Sequence, residues 1–143
     1  NLADKYMAIN IVSWAERTQA KDAMANEMAI YALKHGIDSN TLFEYIRKDS
    51  SLHEGLVLAL ANLININPQK DDFNKLVEVG ENLTRLHVRF RVLLAIVSLK
   101  KKGYIDDQSK RQAIDLVKKY KVQADTPLKR QIDHTLSFLN EAN

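Results

Sequence analysis

The sequence predicts an all-α fold. Three observations predict it. Apolar residues recur three and four apart nearly throughout the chain, the spacing of a helix face. Strand signatures are missing: there is no alternating Val/Ile/Thr run and no Asn-Gly or Asp-Gly hairpin turn. Breakers cut the chain at regular places, while only two prolines and four glycines interrupt it.

The breakers define eight expected helices. The first two run near 4–18 and 20–35, the second ending at His35-Gly36, because glycine tolerates the left-handed conformation that closes a helix. The third, near 40–48, is expected to be capped by Ser39 or Asn40, whose side chains accept from free amides. Asp49-Ser50-Ser51 separates it from the fourth, near 51–66. Asn67-Pro68 begins a turn before a fifth helix near 70–80. The sixth, near 82–102, holds "RLHVRFRVLLAIVSLKKK", with basic ends and an apolar middle, and stops at Gly103. The seventh starts at Asp106-Asp107 and is expected over 107–123. The eighth starts at Asp125-Thr126-Pro127, with proline in the first turn, and is expected over 126–141.

The even-numbered helices align on Leu33, Leu63, Leu99 and Leu139. Three residues earlier stand Ile30, Leu60, Ile96 and Leu136, and seven earlier stand Asn26, Leu56, Val92 and Ile132. Four earlier stand Ala29, Ala59, Ala95 and Thr135, small each time, which lets a neighbouring helix approach closely. The odd helices carry a thinner echo in Ile9/Val12, Phe43/Ile46, Phe73/Leu76 and Ile114/Val117. A helix hairpin repeated four times with a small inner residue resembles the HEAT and armadillo-like α-solenoids. The resemblance covers nearly the whole chain as a pattern, but the anchor spacings of 30, 36 and 40 residues are shorter than the roughly 40 to 47 of those repeats. It implies four antiparallel hairpins, near 4–35, 40–66, 70–102 and 107–141, in a short right-handed α–α superhelix forming one domain over 1–143. The missing initiator Met suggests a fragment of something longer.

At 143 residues the chain is long enough for a real core, and 45% hydrophobic with 27% charged residues is ordinary for a globular domain. The absence of cysteine excludes disulfides and thiolate zinc sites. The compartment stays open, with the cytoplasm favoured. The longest apolar run, Val92–Leu99, is far short of the roughly 20 residues that span a bilayer, so membrane insertion is not expected. Net charge is +3 but uneven. Residues 1–72 carry 7 Lys/Arg against 10 Asp/Glu, and residues 73–143 carry 14 against 8.

In a solenoid the inner helices line a concave surface that binds partners. Residues opposite the core columns are Met24, Met28 and Tyr31, then Glu54, Leu58 and Ala61, then Phe90, Leu94 and Val97, then Arg130, His134 and Ser137. This face is apolar over three repeats and basic at the fourth. It suits another protein, presented as an amphipathic helix or an extended peptide. Met24, Met28, Tyr31, Leu58, Phe90, Leu94, Arg130 and His134 are the expected contacts of a non-catalytic adaptor or scaffold. The competing expectation is nucleic-acid binding along a basic track of Arg85, Arg89, Lys100, Lys101 and Lys129. Certain HEAT-like alkylpurine glycosylases use such a surface. Aromatics to stack bases are few here, and Trp14 is expected on an outer helix.

No catalytic motif appears. The four histidines, His35, His53, His87 and His134, are not spaced as metal ligands, and no glycine-rich phosphate loop or nucleophile elbow is present. Asp71-Asp72 and Asp106-Asp107 fall at helix starts, where negative charge is favourable. No cofactor, metal or enzymatic activity is expected.

Overall fold

The computed structural model describes residues 2–7, 14–48 and 52–141. Among the described residues there are eight helices and no strand. They are α1 (Leu2–Met7), α2 (Trp14–Lys34), α3 (Ser39–Lys48), α4 (Glu54–Ile66), α5 (Asp72–Gly80), α6 (Leu86–Lys101), α7 (Asp107–Lys119) and α8 (Thr126–Asn140).

Local chemistry explains the ends. Gly36 and Gly103 take positive φ, 64° and 76°, as the expected closing glycines. Asp106 and Asp125 cap α7 and α8, accepting from Ser109 N at 2.8 Å and Leu128 N at 3.0 Å. Several boundaries differ from the expected ones. Residues 14–18 belong to α2, so Trp14 opens an even-numbered helix and is not on an outer one. Ile9 and Val12 lie outside the described residues. Asp38, and neither Ser39 nor Asn40, caps α3, because its Oδ1 accepts both Thr41 N and Thr41 Oγ1 at 2.8 Å. The fourth helix starts at Glu54, after His53 Nδ1 has accepted from Leu56 N at 3.3 Å. The sixth starts only at Leu86, because Thr84 N and Arg85 N are both held by the Glu54 carboxylate.

The even-numbered helices pack in chain order, α2 on α4, α4 on α6 and α6 on α8. The shorter helices cover them. α1 lies on α4 and α2, α3 on α4, α5 on α4 and α6, and α7 on α8 and α5. α4 touches five other helices, and Val57 through Ile64 are all buried. That is why "GLVLALANLI" is apolar on every side. The same holds for the middle of α6, where Val92, Leu93, Ala95, Ile96, Val97 and Leu99 are buried. The basic-then-apolar stretch is therefore a core helix with basic ends.

The small-residue column holds throughout: Ala29, Ala59, Ala95 and Thr135 are all buried. The leucine column holds in α4, α6 and α8 and fails in α2, where Leu33 is 46% and Ile30 60% exposed. There the buried positions are Ala25, Met28, Ala29 and Ala32. The side with three alanines lets α2 settle closely on its neighbours, and the helix is rotated accordingly.

Candidate functional site

Polar contacts between residues 30 to 40 apart in the chain fasten one helix to another. Ser39 Oγ donates to Asp72 Oδ1 at 2.6 Å, 33 residues away. Thr84 Oγ1 donates to Glu54 Oε2 at 2.5 Å, 30 residues away. Ser98 Oγ donates to Asn65, again 33 away, and Lys119 to Glu81, 38 away. Tyr120 Oη donates to Gly80 O at 2.7 Å, 40 residues away. These contacts tie α3 to α5, α4 to α6 and to the residues just before it, and the ends of α5 and α7 to each other.

Two of these fasteners are buried and charged. Asp72, wholly buried, takes Ser39 Oγ and Lys75 Nζ (3.1 Å) on Oδ1 and Gln69 N (2.8 Å) on Oδ2. Its charge is met at once by an ammonium, as a buried carboxylate requires. A cleft of about 310 Å³ opens above this network, lined by Leu33, Gly36, Ile37, Ser39 and Asn67 among others. The Ser39 hydroxyl is committed to the carboxylate, so the trio ties α3 to α5. The second fastener is Glu54, expected on the open face but buried, with its carboxylate answering three donors from residues 84 and 85.

The expected partner face divides along the chain. Met28 and Leu58 are core residues and cannot meet a partner. Ala61 and Val97 are buried as well. Leu58 and Ala61 lie on α4, which packs against α1, α2, α3, α5 and α6, while Met28 is on the alanine side of α2 and Val97 in the apolar middle of α6. Met24, Phe90 and Leu94 are half-buried, while Tyr31, Arg130 and His134 are exposed. Accessible positions remain on α2, at Met24 and Tyr31, and on α6 and α8. Phe90 and Leu94 stand on α6, and α8 packed beside it shows Arg130, His134 and a half-buried Phe138. The His134 and Phe138 rings are parallel within 2°, centroids 6.4 Å apart.

The expected basic track loses its centre. Arg89 spends its guanidinium on carbonyls: Nε and Nη2 donate to Leu83 O at 3.0 and 2.7 Å, and Nη1 to Val122 O at 3.2 Å. The same group lies 5.3 Å above the Tyr120 ring. Lys100 is engaged too, donating to Glu141 O at 3.1 Å and lying 5.5 Å from the Phe138 ring centre. Arg85 is half-buried, and Lys101 and Lys129 are exposed.

Perturbed ionisation falls on structural groups. Burial pushes the Tyr120 phenol well above its ordinary range, against the pull of Arg89 and with smaller help from Glu81 and Glu54. Asp38 is held low by the Thr41 amide and hydroxyl, and Asp106 by the Ser109 amide. The His53 hydrogen bond lowers Asp4, the pair lying 2.7 Å apart. No group of three or more His, Cys, Asp or Glu able to hold a metal exists among the described residues. Nor is any described helix long and apolar enough to cross a membrane.

Sequence reasoning missed the Ser39–Asp72–Lys75, Glu54–Thr84–Arg85 and Gly80–Tyr120–Arg89 networks, each of which joins residues 30 or more apart in the chain. One signal was available. Glu54 is the only charged residue in α4, and a lone charge on a core helix needs a partner. No family model matches the chain, and comparisons with curated proteins and with solved structures also found no match.

Proposed function

We propose that this chain is a non-catalytic scaffold module. Its stack of helix hairpins, of the HEAT-like kind, holds an acidic amphipathic protein segment against the α6–α8 edge. The observation that carries the reading is the composition of that edge. Phe90 and Leu94 are half-open on a helix whose middle is otherwise core, and α8 beside it exposes Arg130 and His134. Apolar anchors on one helix and the Arg130 guanidinium on the helix packed beside it suit a partner helix with an apolar face and carboxylates along one margin. The excess of Lys and Arg in residues 73–143 favours the same charge sign in the partner. The Gly80–Tyr120 contact supports a hairpin stack, because each residue stands 19 before its leucine anchor, at the end of α5 and just past α7. Nucleic-acid binding is the weaker reading, since Arg89 is spent inside the protein.

The test is a selection from a displayed library of helical peptides, with nuclease present. Enriched peptides should be amphipathic and acidic. Leu94→Glu and Arg130→Glu should each lose them while melting like the wild type by circular dichroism. Enrichment of neutral or basic peptides, or retention by both variants, refutes the proposal. Tight binding of duplex DNA at ~100 mM salt would move the assignment to the remaining basic residues.

A further inference from the structure

The cleft over the Ser39–Asp72–Lys75 network shares no residue with the α6–α8 edge. Its walls are the end of α2, the turn into α3, the end of α4 and the turn into α5. At about 310 Å³ it stands at the lower end of the roughly 300 to 1,000 Å³ typical of small-molecule sites. Leu33, Ile37 and Leu63 make one part of the lining apolar. Asp38, Asp71, Asn40, Asn67 and Gln69 supply oxygen acceptors to the rest, and no Lys, Arg or His lines it. Behind the lining, bonded to Ser39, is the wholly buried Asp72.

The charge there is unbalanced. Asp38, Asp71 and Asp72 stand against one ammonium, that of Lys75, which lies 3.1 Å from Asp72 and 3.6 Å from Asp71. Three carboxylates against one cation leave two negative charges. Lys34 and Lys70 are exposed and lie outside the lining. The Thr41 amide holds the Asp38 carboxyl below its ordinary range, so it is charged at neutral pH. Gln69 Nε2 donates to Asn67 Oδ1 at 3.2 Å, which commits the nitrogen of that amide and not its oxygen.

We propose that this cleft binds an alkylguanidinium, its stem on Leu33, Ile37 and Leu63 and its N–H groups on Asp38, Asp71 and the amide oxygens. The spread of the acceptors selects that chemistry. They do not gather round one point, since no group of three or more His, Cys, Asp or Glu able to hold a metal ion occurs among the described residues. A planar cation with several N–H donors reaches acceptors that stand apart. Guanidinium is also more weakly hydrated than ammonium, so it enters a half-apolar cleft at lower cost. The excess of Asp and Glu over Lys and Arg in residues 1–72 adds an attractive field. The same group is carried by a free small molecule or by an arginine side chain of another protein.

Titration of the isotope-labelled protein with butylguanidinium, followed by amide NMR, tests the proposal. Shifts should concentrate on residues 33–40 and 63–71. The dissociation constant should be about 1 mM, as suits so small a ligand. Butylammonium should bind several-fold more weakly, and pentanoate should not bind. Asp38→Asn and Asp71→Asn should each weaken binding about fivefold. Asp106→Asn, at a capping aspartate outside the cleft, should leave it unchanged. Asparagine still caps a helix, so all three variants should stay folded by circular dichroism. N-acetylarginine methylamide separates the two sources. If it binds as tightly as butylguanidinium, the cleft takes an arginine side chain; if it is excluded while butylguanidinium binds, the cleft takes a free small molecule. Absence of saturable shifts by about 20 mM overturns the proposal. So does equal affinity for butylammonium, binding of pentanoate, or indifference to Asp38→Asn/Asp71→Asn.

Discussion

The contact between Gly80 and Tyr120 can be taken apart by a double-mutant cycle whose outcome follows from the geometry. Gly80 closes α5, and its carbonyl accepts the buried Tyr120 hydroxyl at 2.7 Å. A Cβ on residue 80 would lie 2.8 Å from Tyr120 Oη and 3.2 Å from Leu116 Cδ2. Tyr120 cannot retreat, because it is 2% exposed and its ring is pinned beneath Arg89. Gly80→Ala should therefore cost about 1 to 2 kcal/mol, an overpacking loss of about 2 partly offset by the helix preference of alanine. Tyr120→Phe should cost about 1 to 2 kcal/mol, since the removed hydroxyl leaves the Gly80 carbonyl unpaired. In the double variant the Oη that opposed the new methyl is gone. Its stability should match that of Tyr120→Phe alone, a coupling of about 1 to 2 kcal/mol, read by urea unfolding with unchanged m-values. Additivity within about 0.5 kcal/mol would refute the argument. The phenol supplies an independent check. Its folded pKa is raised, so its contribution is complete below the unfolded value near 10 and is lost as pH rises above it. Stability of the wild type should fall more steeply above pH ~10 than that of Tyr120→Phe.

Other perturbations have equally definite expectations. Gly55→Ala should prise α1 from α4, because the new Cβ would lie 2.5 Å from the backbone oxygen of Ala3; the readout is faster amide hydrogen exchange in α1 with α6 unaffected. Glu54→Ala should cost about 2 to 3 kcal/mol in urea unfolding, since one buried carboxylate serves two amides and a hydroxyl. A loss below about 0.5 kcal/mol would show that water replaces it freely. The Asp38 carboxylate is held low by Thr41, so its contribution is present above the unfolded value of 3.8 and fades as pH falls through the lower folded value. Asp38→Ala should make thermal stability less dependent on pH below about 4.

Much of the fold is legible in the residues themselves. The glycine closures at 36 and 103 and the aspartate caps at 106 and 125 act within a turn, and local chemistry is what a sequence displays. The boundaries that moved did so for long-range reasons. Thr84 and Arg85 stay out of α6 because a carboxylate 30 residues earlier holds their amides. Ser39 forgoes capping because its hydroxyl is claimed by Asp72 across to α5. The rotation of α2 belongs to the same class. Its leucine and isoleucine fit the repeat column by spacing, but three alanines on the other side allow a closer approach, and packing selects the closer approach.

The site is harder to read than the fold because exposure depends on the neighbours of a helix, and spacing within the helix does not encode them. Leu58 and Leu94 occupy one column of the alignment, five residues before their anchors. Leu58 lies on α4, which five helices enclose, while Leu94 lies on α6, whose corresponding side stays half-open. Arg89 and Lys129 likewise share a column, ten residues before their anchors. Arg89 has two carbonyls and a tyrosine ring within reach and turns inward, whereas Lys129 is exposed. Positions that share a column of the sequence alignment thus meet different surroundings. The side chains left open to solvent are those whose neighbours leave a side uncovered, and on α6 and α8 they include Phe90, Leu94, Arg130 and His134.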